Sequence, residues 1–177
     1  HHVAMPEASP DAPFPDTHWG RETMSRLFAP AYRFASTPVG SRVLRAFVPL
    51  DRRVLAATKG RYTLFGPVAL PTLLLTTTGR KSGLARTTAL SYLRDGHRLL
   101  VLGSNWGQQS HPGWSVNLQA NPEATVAMGG QEIPVRATLL QGAERERCLQ
   151  RFLSYPMYRA YRTRTTRELR LFALSRA

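Results

Sequence analysis

Apolar positions follow two regimes along the chain. Between residues 17 and 58 they recur at helical spacing: Met24, Leu27, Phe28, Ala31 and Tyr32, then Val43, Leu44, Phe47 and Val48. The spacing predicts helices interrupted by prolines. Pro30 kinks or divides the first, Ser41 N-caps the next, Pro49 ends it, and Asp51 caps a short helix through Leu55. From residue 72 the period shortens. TLLLTTTG, RTTALSYLRDG and HRLLVLGS read as three strands, with Asp95-Gly96 marking a hairpin. NWGQQSH (105–111) reads as a polar loop, and HPGWSVNLQANP as a short helix begun near Pro112 and stopped before Pro122. EATVAMGG and QEIPVRATLL form a second hairpin around Gly129-Gly130. Residues 142–163 return to helix, and RELRLFALS is a last strand.

Strands joined by tight turns favour an antiparallel sheet curled into a small barrel, with flanking helices: an α+β architecture. The expected organisation is a disordered, proline-rich tail over residues 1–16, an N-terminal helical arm over 17–66 and the barrel over 67–177. His1 and His2 read as a tag remnant.

Charge narrows the partners. There are 24 Lys+Arg against 11 Asp+Glu, a formal net charge of +13, and all the cations but Lys59 and Lys81 are arginine. Such a surface attracts anions. The arm carries Arg21, Arg26, Arg33, Arg42, Arg45, Arg52 and Arg53 beside its apolar stripes. It suits packing on the barrel, or else contact with an anionic membrane surface or a partner chain, which leaves a homodimer open. No stretch reaches the roughly 18–20 apolar residues of a spanning helix. A single cysteine, Cys148, on the same helical face as Phe152, reads as packing, and the absence of disulfides points to the cytoplasm.

Candidate chemistry gathers in three segments. TTTGRKSGLARTT (76–88) sets Arg80, Lys81 and Arg86 in a strand turn without a carboxylate. Gly79 and Gly83 free its backbone, so that N–H groups, Ser82 and the cations can converge on an anion such as phosphate. The same pattern also suits a hairpin tip kept soluble by its charge. LGSNWGQQSHPGW (102–114) places Gly103, Ser104, Gly107, Trp106 and Trp114 where a flat ligand could stack, or where an aromatic loop could pack the core. In YPMYRAYRTRTTR (155–167), Tyr155, Tyr158 and Tyr161 step by three, forming one wall of a semi-polar pocket or of a packed helix. His18, His97 and His111 lack ligand spacing, so no metal is expected. Difficult chemistry would then fall to a bound cofactor.

Taken in order, LLLTTTGRKSGLAR, LSYLRDG, GSNWG, HPGW..NL.ANP, EIPVRA and YPMY..Y resemble the deazaflavin (F420)-dependent nitroreductase family of actinobacteria, over roughly residues 70–175. The resemblance implies a split β-barrel, of the kind that also binds FMN, holding coenzyme F420. That coenzyme's phosphodiester and oligoglutamate tail are anionic. By position, Arg80, Lys81, Ser82, Gly83 and Arg86 would hold the phosphate, with Thr88 and Ala89 following it towards the ring. Leu102, Gly103, Ser104, Asn105 and Trp114 would border the deazaflavin. Trp106, Tyr155, Tyr158 and Tyr161 would face a small-molecule electron acceptor, and Ser104 and Tyr158 would hydrogen-bond or protonate it. The implied reaction is hydride transfer from the reduced coenzyme to a quinone, enone or nitroaromatic. An FMN-dependent oxidoreductase of the same fold and a non-enzymatic polyanion or membrane binder are the alternatives. No known nucleic-acid module is recognisable, and nucleic acid is not expected as a partner.

Overall fold

The computed structural model describes residues 12–17, 20, 22, 26–66 and 70–177. Six antiparallel strands close into a barrel in the order β1-β2-β3-β6-β5-β4. They are β1 (Thr72–Thr78), β2 (Ala85–Asp95), β3 (Arg98–Leu102), β4 (Glu123–Met128), β5 (Gln131–Leu139) and β6 (Leu171–Arg176). Both expected hairpins form. Asp95 pairs with Arg98 across the first turn, where Gly96 takes a φ of +62°. Met128 pairs with Gln131 across the second, with Gly129 and Gly130 at +56° and +83°, the doubly left-handed turn that matches strand twist.

Alternation along the strands splits the apolar residues between two cores. Leu99, Val101, Val126, Val135 and Phe172 point into the barrel with Trp114 and Leu118 of α3 (Gly113–Ala120). Leu93, Leu100, Leu102 and Leu171 point outward. They are covered by Cys148, Leu149 and Phe152 of α4 (Gly142–Leu153), and by Tyr158 and Tyr161 of α5 (Pro156–Thr163). Cys148 is wholly buried there, and burial raises its thiol pKa, as befits a packing residue. The helical stretch expected over 142–163 is two helices, because Pro156 cannot continue the ladder and instead starts the second.

The N-terminal arm differs from expectation in four places. A 3₁₀ turn (Arg26–Phe28) leads into α1 (Ala29–Ser36), so Pro30 lies in the first turn rather than at a kink. Thr37, not Ser41, caps α2 (Pro38–Ala57): its hydroxyl accepts from Gly40 N at 2.9 Å. Ser41 lies buried inside the helix and donates to Ala35 O at 3.0 Å. Helix α2 also runs straight through Pro49. Pro49 and Arg45 are both on the exposed side, where water can satisfy the carbonyl that the missing N–H frees. Asp51 caps nothing. It is a 2% exposed side chain in mid-helix whose Oδ1 accepts from Thr63 Oγ1 (2.7 Å) and Leu64 N (2.6 Å), tying the following loop to α2.

Residues 12–16, expected within the tail, lie against the barrel. Phe14 is buried in its core, and Arg94 and Arg176 donate to the carbonyls of Ala12 through Pro15. The tail over 1–11, together with His18, Arg21, Met24 and Pro67, falls outside the described residues.

Candidate functional site

A cavity of about 970 Å³ opens on one side of the barrel. The β1–β2 turn forms one end. Thr88 to Ser91 of β2 run along it, and the loop after β3 borders one flank. Gly113, Trp114, Val116 and Asn117 of α3 sit with the turn; Met157, Tyr158 and Tyr161 of α5 close the far end. Leu44, Val48 and Asp51, spaced as one face of α2, also line it. The arm therefore supplies part of the cavity wall.

Arg80, Lys81, Ser82, Arg86, Thr88, Ala89, Leu102, Ser104, Asn105, Trp106, Trp114, Tyr158 and Tyr161 are brought together in this lining. Gly83, Gly103 and Tyr155 are not. Gly83 is at the hairpin tip with φ +68°. Gly103 is packed in the backbone, donating to Arg170 O at 2.8 Å. Tyr155 precedes α5 and turns its hydroxyl to the carbonyl of Glu22. Burial, then the charge of Glu22, pushes its pKa up to about 12.

The cationic end is preformed. Arg80, Lys81 and Arg86 are exposed, and none pairs with a carboxylate among the described residues. Gly79 N donates to Leu84 O and Gly83 N to Gly79 O, while Leu84 N reaches Ser82 Oγ. Those N–H groups are spent on the turn itself, so fewer face outward than the sequence suggested. Gly79 does not take a left-handed backbone; a Cβ there would crowd Leu84 O at 3.1 Å and make the Ser82 hydroxyl, 2.7 Å away, turn aside. Asn117 fixes the turn from α3. Its Oδ1 accepts from Arg80 N at 3.1 Å and its Nδ2 donates to Thr77 Oγ1 at 3.0 Å. Asn117 falls within the HPGW..NL stretch, but no spacing argument could give it this partner 37 residues away.

The far end is aromatic. Tyr158 stacks edge-on with Phe152 at 5.2 Å and with Tyr161 at 6.0 Å, and Trp106 meets Tyr161 at 5.8 Å. Burial, then the neighbouring Tyr161, drives the Tyr158 pKa far above its ordinary 10, against a hydrogen-bonding pull from Ser91. Tyr161 is raised as well, chiefly by burial, and the Arg164 guanidinium lies 5.4 Å from its ring centre. Both phenols keep their protons at neutral pH. They can donate a hydrogen bond to an oxygen that gains negative charge, but they cannot act as bases there.

Residues 105–107 form a tight left-handed turn within what the sequence suggested was a polar loop, and two further residues missed from sequence support it. His111 lines the cavity, and Arg167, from beyond α5, reaches His111 and the carbonyls of Gly103, Ser104 and Gln108.

The family model for F420H(2)-dependent quinone reductase matches residues 44–175. An F420H(2)-dependent quinone reductase of Mycobacterium tuberculosis is 38% identical over 109 residues, 62% of this chain and 70% of the relative. A solved F420-H2 dependent reductase superposes with a TM-score of 0.54 at 35% identity, covering 59% of this chain and 93% of that one. Another solved chain, described as a domain-swapped dimer, gives 0.56 at 30% identity over 78% and 99%.

Proposed function

The chain belongs to the F420H(2)-dependent quinone reductase family, and on that premise we propose that its cavity seats the coenzyme along β2, anionic arm on Arg80, Lys81 and Arg86, with the acceptor between Trp106, Tyr158 and Tyr161. It is an F420-dependent oxidoreductase acting on quinone-like acceptors. The observation that carries the arrangement is the polarity of one cavity: cations with no carboxylate partner among the described residues at one end, protonated phenols at the other. The lining fits the coenzyme in kind as well as in size. Pockets for ligands of drug size run from about 300 to 1,000 Å³, so one near the top of that range has room for a ring system and an acceptor together.

The bound reduced coenzyme supplies a hydride. The chain's own residues orient the partners, exclude water and stabilise charge. Leu90, Leu102 and Trp114 give the cavity apolar walls. Tyr158, buried and protonated, donates to the acceptor oxygen as it gains charge, and the Ser104 hydroxyl is the second donor. Conjugated enones and nitroaromatics are electron-poor in the same sense and extend the proposed acceptor range. Titration with F420 and with FMN, followed by a screen of quinones and enones for oxidation of reduced F420, tests this reading. Tight FMN binding with no response to F420 would overturn it.

The outer face of α2 supports peripheral contact with an anionic membrane. Val39, Val43, Phe47 and Leu50 are 61%, 41%, 51% and 49% exposed along one stripe, flanked by exposed Arg42, Arg45, Arg52 and Arg53. Among the described residues no helix is long and apolar enough to cross a membrane. Co-sedimentation with anionic but not neutral vesicles, lost in Phe47→Ser with Leu50→Ser, is the expected result. Concentration-dependent dimerisation abolished by the same changes would assign the stripe to a second copy of the chain instead.

A further inference from the structure

Asn105 and Trp106 are consecutive non-glycine residues with left-handed backbones, φ +45° and +57°. Such conformations persist only where the surroundings hold them, and they gather at sites of function. The Asn105 amide ties the turn from within, donating to Ser110 O at 3.0 Å, and one side chain from outside the loop holds both its flanks. Arg167 Nε donates to Gln108 O at 3.0 Å, Nη2 to Ser104 O at 2.8 Å, and Nη1 to Gly103 O at 2.9 Å and to His111 Nδ1 at 3.3 Å. The Thr165 hydroxyl adds a bond to Gln109 Oε1 at 3.1 Å. The planar fork of a guanidinium can serve several acceptors at fixed angles; an ammonium cannot.

Two consequences bear on the cavity. With the Ser104 carbonyl on Arg167 and its N–H on Leu102 O, the hydroxyl is the polar group Ser104 has left for a ligand. An arginine only donates, so His111 Nδ1 must accept, and the ring proton lies on Nε2. The charges that face His111 are Arg170, Arg167 and Glu168. Burial first, then the two arginines against Glu168, holds the imidazole below its ordinary range and neutral.

We propose that Arg167 is a positioning residue of the site, holding the 103–111 loop in its left-handed form and fixing His111 as the Nε2–H tautomer. The Ser104 hydroxyl, the Trp106 ring and the His111 Nε2–H then meet the ligand already oriented. The kinetic part of this inference rests on reading the cavity as the reductase site; the tautomer part does not.

Arg167→Met and Arg167→Lys in the full chain test it by three readouts: imidazole ¹⁵N spectra against pH, F420 titration and steady-state turnover. His111→Gln identifies the His111 signals. In Arg167→Met, the His111 ring should lose its single tautomer and titrate at higher pH. Turnover should fall by about 100-fold, the scale of a small misplacement of reacting groups, while the F420 dissociation constant moves far less. Arg167→Lys restores charge but not the fork, so it should recover the titration and not the turnover. Unchanged His111 spectra in Arg167→Met would overturn the proposal. So would equal losses in turnover and coenzyme affinity, or a folded Arg167→Lys enzyme with wild-type turnover. If the wild-type protein neither binds nor oxidises reduced F420, the reductase reading fails, and the spectra still decide the role of Arg167.

Discussion

Removing the Arg80 guanidinium should weaken F420 binding about tenfold at low ionic strength. Two unit charges 4 Å apart interact by about 1 kcal/mol in bulk water and about 4 kcal/mol at the effective dielectric of a protein surface. Arg80 is exposed, so the lower part of that range applies, and roughly 1.4 kcal/mol is tenfold in affinity. The turn itself should survive Arg80→Ala, because its tie to α3 runs from the Arg80 backbone N–H to Asn117 Oδ1. Coenzyme fluorescence titrated at about 0.1 M and about 1 M salt is the assay. The screening length shrinks from about 10 Å to about 3 Å between them, so the gap between wild type and variant should narrow at high salt. Arg80→Ala combined with Arg86→Ala should lose roughly a hundredfold at low salt, if the two act independently. Arg136, which pairs with Glu123 at 2.6 Å on β5, is the control and its removal should change little. Equal affinity of wild type and variant at 0.1 M salt, or a loss of the same size at both salts, would refute the anion clamp.

Tyr158→Phe should lower turnover more than coenzyme affinity, and the wild-type rate should show no phenol ionisation up to about pH 10, because burial raises that pKa; a selective loss of affinity would move Tyr158 to the coenzyme. Asn117→Ala removes two hydrogen bonds to the β1–β2 turn and should cost about 1–3 kcal/mol in thermal or denaturant unfolding, along with coenzyme affinity; an effect on stability alone would detach the turn from binding. Asp95 is desolvated, yet the hydrogen bonds and charges of Arg98 and Arg147 outweigh this and lower its pKa below the ordinary 3.8. A depressed carboxylate stabilises the fold above its unfolded-state pKa and loses that contribution as pH falls through the folded value. Asp95→Asn should therefore be less stable than wild type at pH 7, with the difference closing below about pH 4; a constant difference across that range would remove Asp95 from the acid response.

The barrel is legible in the chain because its signals are local. Alternation in QEIPVRATL, the Asp95-Gly96 and Gly129-Gly130 turns, and the proline-bounded α3 each depend on residues within a few positions. Helix α2 was harder, for an opposite reason. Pro49 and Asp51 carry strong local signals for a break, and tertiary context overrides both: the carbonyl that Pro49 leaves free is on the exposed side of the helix, open to water, and Thr63 and Leu64 satisfy Asp51. Arg80, Lys81, Arg86, Ser104, Trp106 and Tyr158 stand in short quotable motifs. That they share one cavity depends on the curvature of the barrel and on where α5 packs.

What the sequence determined alone was therefore the barrel strands with their hairpins, the cation-bearing turn and the phenol triplet, since each is written in residues adjacent along the chain. Tertiary structure decided which of these meet. It turned Tyr155 away to Glu22, brought α2 in as a wall, and set Arg167 against a loop 56 to 64 residues earlier. A single guanidinium among so many arginines carries no local mark of its partners. The acceptors it serves converge only once the barrel has closed.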